Sequence, residues 1–247
     1  MTQGFHYLWR GLRMLNTPGI RRFVALPLLV NFLLFSTLIG VSLRQFNHWI
    51  ERLLAWLPDF LGFLEWLLWP LAVILLLVVV MYSFSMLANL IAAPFNGLLA
   101  EKVETLLSGA PVADSGGVAG ALADAPRAIA KELGKILYYL PRALLVLILS
   151  FFAGPVAPFL WFALGAWMMA LEYVDYPMDN HKKSLKDVRT ALHRRRAQSY
   201  GFGGGVMLAT MIPVLNLIIM PAAVCGATIY WVEGLKREEL ESLTSDV

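Results

Sequence analysis

A short turn ahead of the first apolar segment combines the residue types of an anion site. Pro18 and Gly19 stand directly before Ile20, Arg21 and Arg22. Free N–H groups at a helix start carry partial positive charge, glycine lets an oxyanion approach the backbone, and arginine donates charge-assisted hydrogen bonds. The pattern indicates an oxyanion-binding turn. It is also typical of a cytoplasmic anchor whose arginines pair with lipid headgroups.

Polar side chains in and beside the apolar segments form a second set of candidates. Each is costly in lipid unless it bonds to another helix or to water in a hydrated pathway. Acidic residues paired with nearby lysine or arginine can gate or fix the entrance of such a pathway. Helix-to-helix hydrogen bonding explains the same asparagines without any pathway. The candidate pathway-lining residues are Asn31, Asn89, Asn96, Glu101, Glu104 and Asn216.

The remaining polar residues favour neither catalysis nor a metal. Asp175, Asp179 and His181 are possible ligands, but the proline within this stretch argues against a regular helical ligand spacing. The single cysteine, Cys225, excludes an internal disulfide and a cysteine-based zinc site. No nucleophile, base and orienting acid occur together, so the sequence predicts neither an enzyme nor a cofactor. Net charge is +3 without a basic stripe, which does not suggest a nucleic-acid partner.

The elements that must position these residues are helices in a lipid bilayer. Of the 247 residues, 59% are apolar and 15% charged, more apolar surface than a globule of this size can hide. The charge-free segments cover residues 23–43, 66–100, 143–171 and 197–232, and each reaches spanning length. We therefore expect an all-α integral membrane protein with a single membrane domain over residues 1–247.

The first two segments differ from the last two. Segments 23–43 and 66–100 are predicted to be long transmembrane helices, the second continuing as a charged helix outside the membrane. Central turn-forming residues in segments 143–171 and 197–232 indicate helical hairpins. Two full crossings need about 40 residues, so re-entrant, hemi-penetrating hairpins are favoured over kinked single spans. The turn-forming residues are Gly154, Pro155 and Pro158 in one segment, and Pro213, Asn216 and Pro221 in the other.

The distribution of basic residues predicts how this arrangement is inserted. Lysine and arginine accumulate on the cytoplasmic side of membranes, and with two re-entrant hairpins all the richly basic regions fall on one side. Both termini are then cytoplasmic. Between the two spans, aromatic and charged residues alternate around residues 48–65, which predicts an amphipathic helix along the membrane surface.

Long ordered strings in the chain resemble one family of bacterial membrane proteins. The strings are PGIRRFVALPLLVN, NLIAAPFNGLLAEKVE, YLPRALLVLIL, DYPMDNHK and MIPVLNLIIMPAAVCGAT. They are similar to those of the CysZ sulfate permeases, and the match runs over nearly the whole chain. The resemblance implies a multi-pass protein of the bacterial inner membrane that takes up sulfate for cysteine biosynthesis without an ATP-binding subunit.

The same resemblance implies a fold, a site and partners. The family has long membrane helices with hemi-penetrating hairpins, and it forms homo-oligomers in which protomers can be inserted in opposite orientations. Its sulfate site is a loop of glycine, an aliphatic residue and two arginines before a membrane helix. The resemblance therefore implies Gly19, Ile20, Arg21 and Arg22 as sulfate-binding residues. The expected partners are sulfate, membrane lipid and further copies of the chain.

A membrane scaffold or assembly factor without transport activity is the alternative function. In that case the hairpins shape lipid or hold a partner, and the arginines grip lipid phosphates. The two functions differ in one observable, because only a permease or channel carries sulfate into liposomes that contain the purified protein alone.

Overall fold

The computed structural model of the chain describes residues 2–55, 65–110 and 125–237. No strand occurs in these ranges, and almost all of their residues are helical, so the predicted all-α class is confirmed for them. A 3-10 turn, Gly154–Val156, and a π-helical turn, Trp231–Leu235, interrupt or end the helices. The helices are α1 (Thr2–Met14), α2 (Arg21–Leu54), α3 (Glu65–Ser108), α4 (Ala125–Ala153), α5 (Ala157–Asn180), α6 (Leu185–Arg194), α7 (Arg196–Thr210) and α8 (Pro213–Tyr230).

Both predicted transmembrane segments lie within long helices. Helix α2 has 34 residues and α3 has 44, so each exceeds the predicted span. Helix α3 continues past the apolar segment to Ser108, as predicted for its charged extension. Helix α2 continues to Leu54 and so includes the first part of the predicted interfacial helix. The rest of that predicted helix falls largely on residues 56–64, which lie outside the described residues.

The chain divides into two compact units, one of which is Ala25–Ala93. This unit holds most of α2 and α3, and Phe46 meets Trp69 edge to face with ring centroids 5.4 Å apart. Its described apolar side chains are largely exposed; Phe32 is 66% and Tyr82 75% accessible. An apolar surface of this extent is unfavourable in water, and lipid acyl chains can shield it.

The other unit comprises Met1–Val24 and Pro94–Val247, and its α4 and α5 form an antiparallel helical hairpin. Lys135 Nζ lies 2.9 Å from Glu172 Oε2, and Trp167 Nε1 donates to the Tyr138 hydroxyl at 3.1 Å. The pair nearer to Gly154 has the smaller separation in sequence, as expected where two antiparallel helices meet at a turn. The chain reverses at Gly154. This turn lies at the predicted position. The chain therefore reverses direction within this segment.

Helices α7 and α8 also run antiparallel, with the turn earlier than predicted. Ser199 Oγ lies 3.0 Å from the Tyr230 hydroxyl, which joins the start of α7 to the end of α8. The turn is formed by Met211 and Ile212, while Pro213 begins α8. Proline is well suited to the first turn of a helix because its missing N–H would have no partner there. Asn216 and Pro221 lie within α8, so placing the turn at these two residues was wrong.

Glycines bring α1, α5, α7 and α8 together closely. A Cβ atom on Gly203 would fall within 3.0 Å of the Ala166 carbonyl oxygen on α5. Gly4 and Gly11 of α1 approach the carbonyl oxygens of residues 198 and 222 in the same way. Such backbone-to-backbone packing at small residues is common between membrane helices, where van der Waals contact replaces hydrophobic burial as the driving force.

Two described helical stretches are long and apolar enough to cross a membrane, Pro126–Asn180 and Ile218–Leu235. The second is mostly buried in its own unit, as the core helix of a soluble protein would also be. In the first, none of the most apolar 18 residues is buried. Phe151 and Phe152 at the hairpin tip are 81% and 86% exposed, which is the surface of a membrane protein and not of a globule in water.

Candidate functional site

The turn before α2 is held in a defined conformation. Gly19 has φ +92°, a left-handed conformation that glycine adopts without steric cost. The Ile20 N–H donates to the Thr17 carbonyl at 3.1 Å, and the Ile20 side chain is fully buried in the core. Arg21 Nε donates to the Asn16 carbonyl at 3.1 Å. The buried isoleucine thus fixes the turn, while both arginines stay exposed to solvent.

A third cation joins this turn from a distant part of the sequence. The Lys102 side chain of α3 lies beside Gly19, and a Cβ built on that glycine would be 3.9 Å from Lys102 Cε. Among the described residues, none of Arg21, Arg22 and Lys102 forms an ion pair with a carboxylate. Sequence analysis placed Lys102 only in a charged band near the membrane, because nothing local links it to the turn.

The turn therefore offers several donors, and no carboxylate among the described residues pairs with its cations. The N–H groups of the first turn of a helix have no partner within that helix, so those of Arg21 and Arg22 can point to a ligand. The Arg22 guanidinium also lies over the Phe23 ring at 5.3 Å, which limits its rotation. Two guanidinium groups, one ammonium and two backbone N–H groups suit a small oxyanion.

The structure places the candidate pathway residues in different surroundings. Asn96 hydrogen-bonds to the Tyr176 hydroxyl and so joins α3 to α5. Glu101 is partly exposed, and its backbone carbonyl accepts a hydrogen bond from Thr105. The helical positions of Asn31, Asn89 and Asn216 are described, but their side chains lie outside the described part of the structure.

Glu104 is buried and its carboxylate is fully engaged. It is 2% exposed, and its oxygens accept hydrogen bonds from His181 Nε2 at 2.8 and 2.9 Å and from Lys236 Nζ at 3.0 Å. Burial alone raises the pKa of this carboxyl, but the hydrogen bonds and charges of His181 and Lys236 outweigh it and hold the pKa below its ordinary value. Glu104 thus joins α3 to the ends of α5 and α8.

Replacing Glu104 by glutamine is expected to lower the free energy of unfolding by about 1–3 kcal/mol at neutral pH, because His181 and Lys236 lose a buried carboxylate acceptor. The depressed pKa stabilises the fold above pH 4.5, the ordinary value, and this stabilisation is lost as pH falls through the lower folded value. Thermal unfolding in detergent should therefore show a wild-type advantage that shrinks below pH 4.5. Glu101→Gln on the same helix is the control; an equal loss of stability there would contradict the prediction.

Asp175 and Asp179 lie in a different arrangement from the one expected. Helix α5 continues through Pro177 to Asn180, so the two carboxylates are one helical turn apart on one face, and the predicted break at the proline was wrong. They meet cations of α4: Asp175 pairs with Lys131 and Lys135, and Asp179 pairs with Arg127 and Lys131. Both carboxylates are therefore used in joining the hairpin. Within the described ranges, no cluster of three metal-ligating side chains occurs.

Comparisons with known proteins identify the family to which the chain belongs. The family model described as "Sulfate transporter CysZ/Etoposide-induced protein 2.4" matches residues 7–221. The protein named "Sulfate transporter CysZ" of Pseudomonas paraeruginosa (strain DSM 24068 / PA7) is 48% identical over 240 residues, covering 96% of each chain. The resemblance noted from the sequence strings is thereby confirmed. This chain is a membrane protein that belongs to the Sulfate transporter CysZ/Etoposide-induced protein 2.4 family.

Proposed function

We propose that this protein is a permease or channel that carries sulfate across the bacterial inner membrane and captures the ion at Gly19, Ile20, Arg21 and Arg22. The observation that carries the proposal is the turn itself, where Lys102 lies beside Gly19 and, in the described residues, neither Lys102 nor the two following arginines has a carboxylate partner. The name of the 48% identical relative supports sulfate as the ion.

In this mechanism the turn replaces part of the hydration shell of sulfate. The N–H groups of Arg21 and Arg22, their guanidinium groups and the Lys102 ammonium donate to the sulfate oxygens. Ile20 contributes by anchoring the turn in the core and not by touching the ion. Binding is weak, because a conducting site must release its ion as readily as it captures it.

Beyond the turn, sulfate follows a polar route through the membrane domain. Asn31, Asn89, Asn96, Glu101 and Asn216 are the proposed lining residues, since a side chain that can hydrogen-bond substitutes for water along such a route. Glu104 has a different part in this scheme. Its buried carboxylate holds His181 and Lys236 and so positions the end of α3 that carries Lys102.

The membrane arrangement that accompanies this function is a single domain over residues 1–247. Segments 23–43 and 66–100 cross the bilayer, and the α4–α5 and α7–α8 hairpins enter it from one side as re-entrant elements. An amphipathic helix lies at the interface between the spans, and both termini are cytoplasmic. The protein acts as a homo-oligomer, without cofactor or catalysis, and supplies sulfate for cysteine biosynthesis.

Uptake of radiolabelled sulfate into proteoliposomes that contain only the purified protein tests this function. We expect uptake above that of empty liposomes, saturating with concentration and reduced by an excess of another tetrahedral oxyanion such as thiosulfate. Uptake equal to that of empty liposomes, from protein that is folded and correctly reconstituted, would disprove transport and favour the scaffold function.

A further inference from the structure

Two arginines from different helices place their guanidinium groups on the same tyrosine ring, away from the turn before α2. Arg142 of α4 has its Cζ 3.5 Å from the Tyr138 ring centroid, and Arg189 of α6 has its Cζ 4.1 Å from that centroid. Both cations are therefore within about 8 Å of each other. Arg142 Nη1 also donates to the Tyr138 carbonyl at 2.6 Å, which fixes its position.

Three other cations of α4 have acidic partners, whereas Arg142 and Arg189 have none among the described residues. Arg127, Lys131 and Lys135 each pair with carboxylates of α5. Beyond Trp167, the stretch of α5 nearer the hairpin tip, residues 162–165, carries no acid. In the described residues, neither Arg142 nor Arg189 forms an ion pair with a carboxylate. Arg142 and Arg189 are thus two like charges close together, without the carboxylate partners that Arg127, Lys131 and Lys135 have in the described residues.

Holding two like charges together is unfavourable without a compensating anion. Arg189 adds to the cost, because its Nε–H is buried and has no hydrogen-bond acceptor among the described residues. The remaining guanidinium N–H groups of both arginines are then the atoms through which an anion can offset the charge. Guanidinium groups hold the oxygens of sulfate or phosphate in a two-pronged geometry that a lone lysine cannot provide.

Tyr138 supplies a further donor at the same place. Its hydroxyl oxygen accepts the Trp167 indole N–H at 3.1 Å, so the hydroxyl hydrogen is directed elsewhere. In α6, His193 Nδ1 donates to the Arg189 carbonyl at 2.7 Å, a hydrogen bond that stabilises the end of this helix. Among the described residues the cluster therefore combines two cations and one hydroxyl donor with no paired acidic side chain, which suits a tetrahedral oxyanion.

We propose that Arg142, Arg189 and Tyr138 form a second oxyanion-binding site, distinct from the turn at Gly19–Arg22. Its ligand is a tetrahedral oxyanion, supplied either as free sulfate or as the phosphate of an anionic lipid headgroup. A lipid phosphate can reach the site because Arg142 directly precedes the apolar segment 143–171, where a headgroup would lie. The site stands on its own geometry and does not require that the chain transport sulfate.

The test uses full-length protein carrying Arg21→Gln and Arg22→Gln, so that the proposed sulfate turn does not contribute. The test variant adds Arg142→Gln and Arg189→Gln to this background. The matched control instead adds Arg194→Gln and Arg196→Gln, which replace two exposed arginines. One arm measures binding of radiolabelled sulfate in detergent. The other counts phosphatidylglycerol molecules retained from mixed phosphatidylglycerol and phosphatidylethanolamine nanodiscs by native mass spectrometry.

We expect the Arg142/Arg189 variant to lose its ligand in one arm, with at least about tenfold weaker binding, while the control is unchanged. Loss of bound sulfate identifies free sulfate as the ligand, and loss of retained phosphatidylglycerol identifies the lipid. If the variant matches the control in both arms, the site does not exist. If the double change prevents folding, the same two measurements are made on Arg189→Gln alone. Binding that is about tenfold weaker in one arm supports the site, and unchanged binding in both arms overturns it.

Discussion

Replacing Arg21 and Arg22 together by glutamine is expected to lower the initial rate of sulfate uptake into proteoliposomes by at least about tenfold, because the proposed capture site loses two charge-assisted donors. Lys102 and the backbone N–H groups remain, so we expect some uptake to persist at high sulfate concentration. The loss should appear mainly as a higher sulfate concentration for half-maximal rate. Glutamine keeps the length and polarity of the side chain, and Ile20 still anchors the turn in the core.

The matched control for this experiment is Arg194→Gln with Arg196→Gln. These arginines are exposed and, within the described part of the chain, make no ion pair with a carboxylate, so the control removes the same charge from elsewhere. It should retain wild-type uptake. Equal losses in both double variants would mean that overall charge, and not the turn, governs entry. Unchanged uptake in the Arg21/Arg22 variant would remove the turn from the mechanism.

Local features of the sequence predicted a large part of this fold. Gly154 and Pro155 interrupt an apolar segment, and the chain does reverse there, because glycine readily adopts a positive φ and proline suits the first turn of a helix. The extension of α3 to Ser108 was likewise predictable. Charged residues mark where a helix leaves an apolar environment, and they do not end it. For the same reason α2 continues to Leu54, beyond the predicted span.

Features that depend on contacts between distant residues could not be predicted in this way. Lys102 stands beside Gly19, and Arg189 shares the Tyr138 ring with Arg142, yet no spacing in the sequence links either pair. The predicted helix break at Pro177 was wrong for a related reason. A proline removes one hydrogen bond from a helix, but the ion pairs of Asp175 and Asp179 with α4 hold the helix together on both sides of it.

Gly203 and Gly204 make a matched pair for testing the close packing of α5 against α7. A Cβ on Gly203 falls within 3.0 Å of the Ala166 carbonyl oxygen, an atom that cannot move without shifting the backbone of α5. A Cβ on Gly204 meets side-chain atoms alone, the tip of the Phe162 ring at 3.4 Å and the Ala166 Cβ at 3.8 Å, both at ordinary contact distance. Both positions are helical, so the intrinsic gain from replacing glycine by alanine is the same, up to about 1 kcal/mol.

Gly203→Ala is therefore expected to destabilise the protein by about 2–3 kcal/mol or more, since overpacking against backbone exceeds the helix-propensity gain. Gly204→Ala should be neutral or slightly stabilising. Thermal unfolding of the two purified variants in the same detergent, with size-exclusion profiles to detect aggregation, measures the difference. Equal melting temperatures would show that α5 and α7 can separate at little cost. A selective loss at Gly203 would show that backbone contact at this glycine determines how closely the two helices pack.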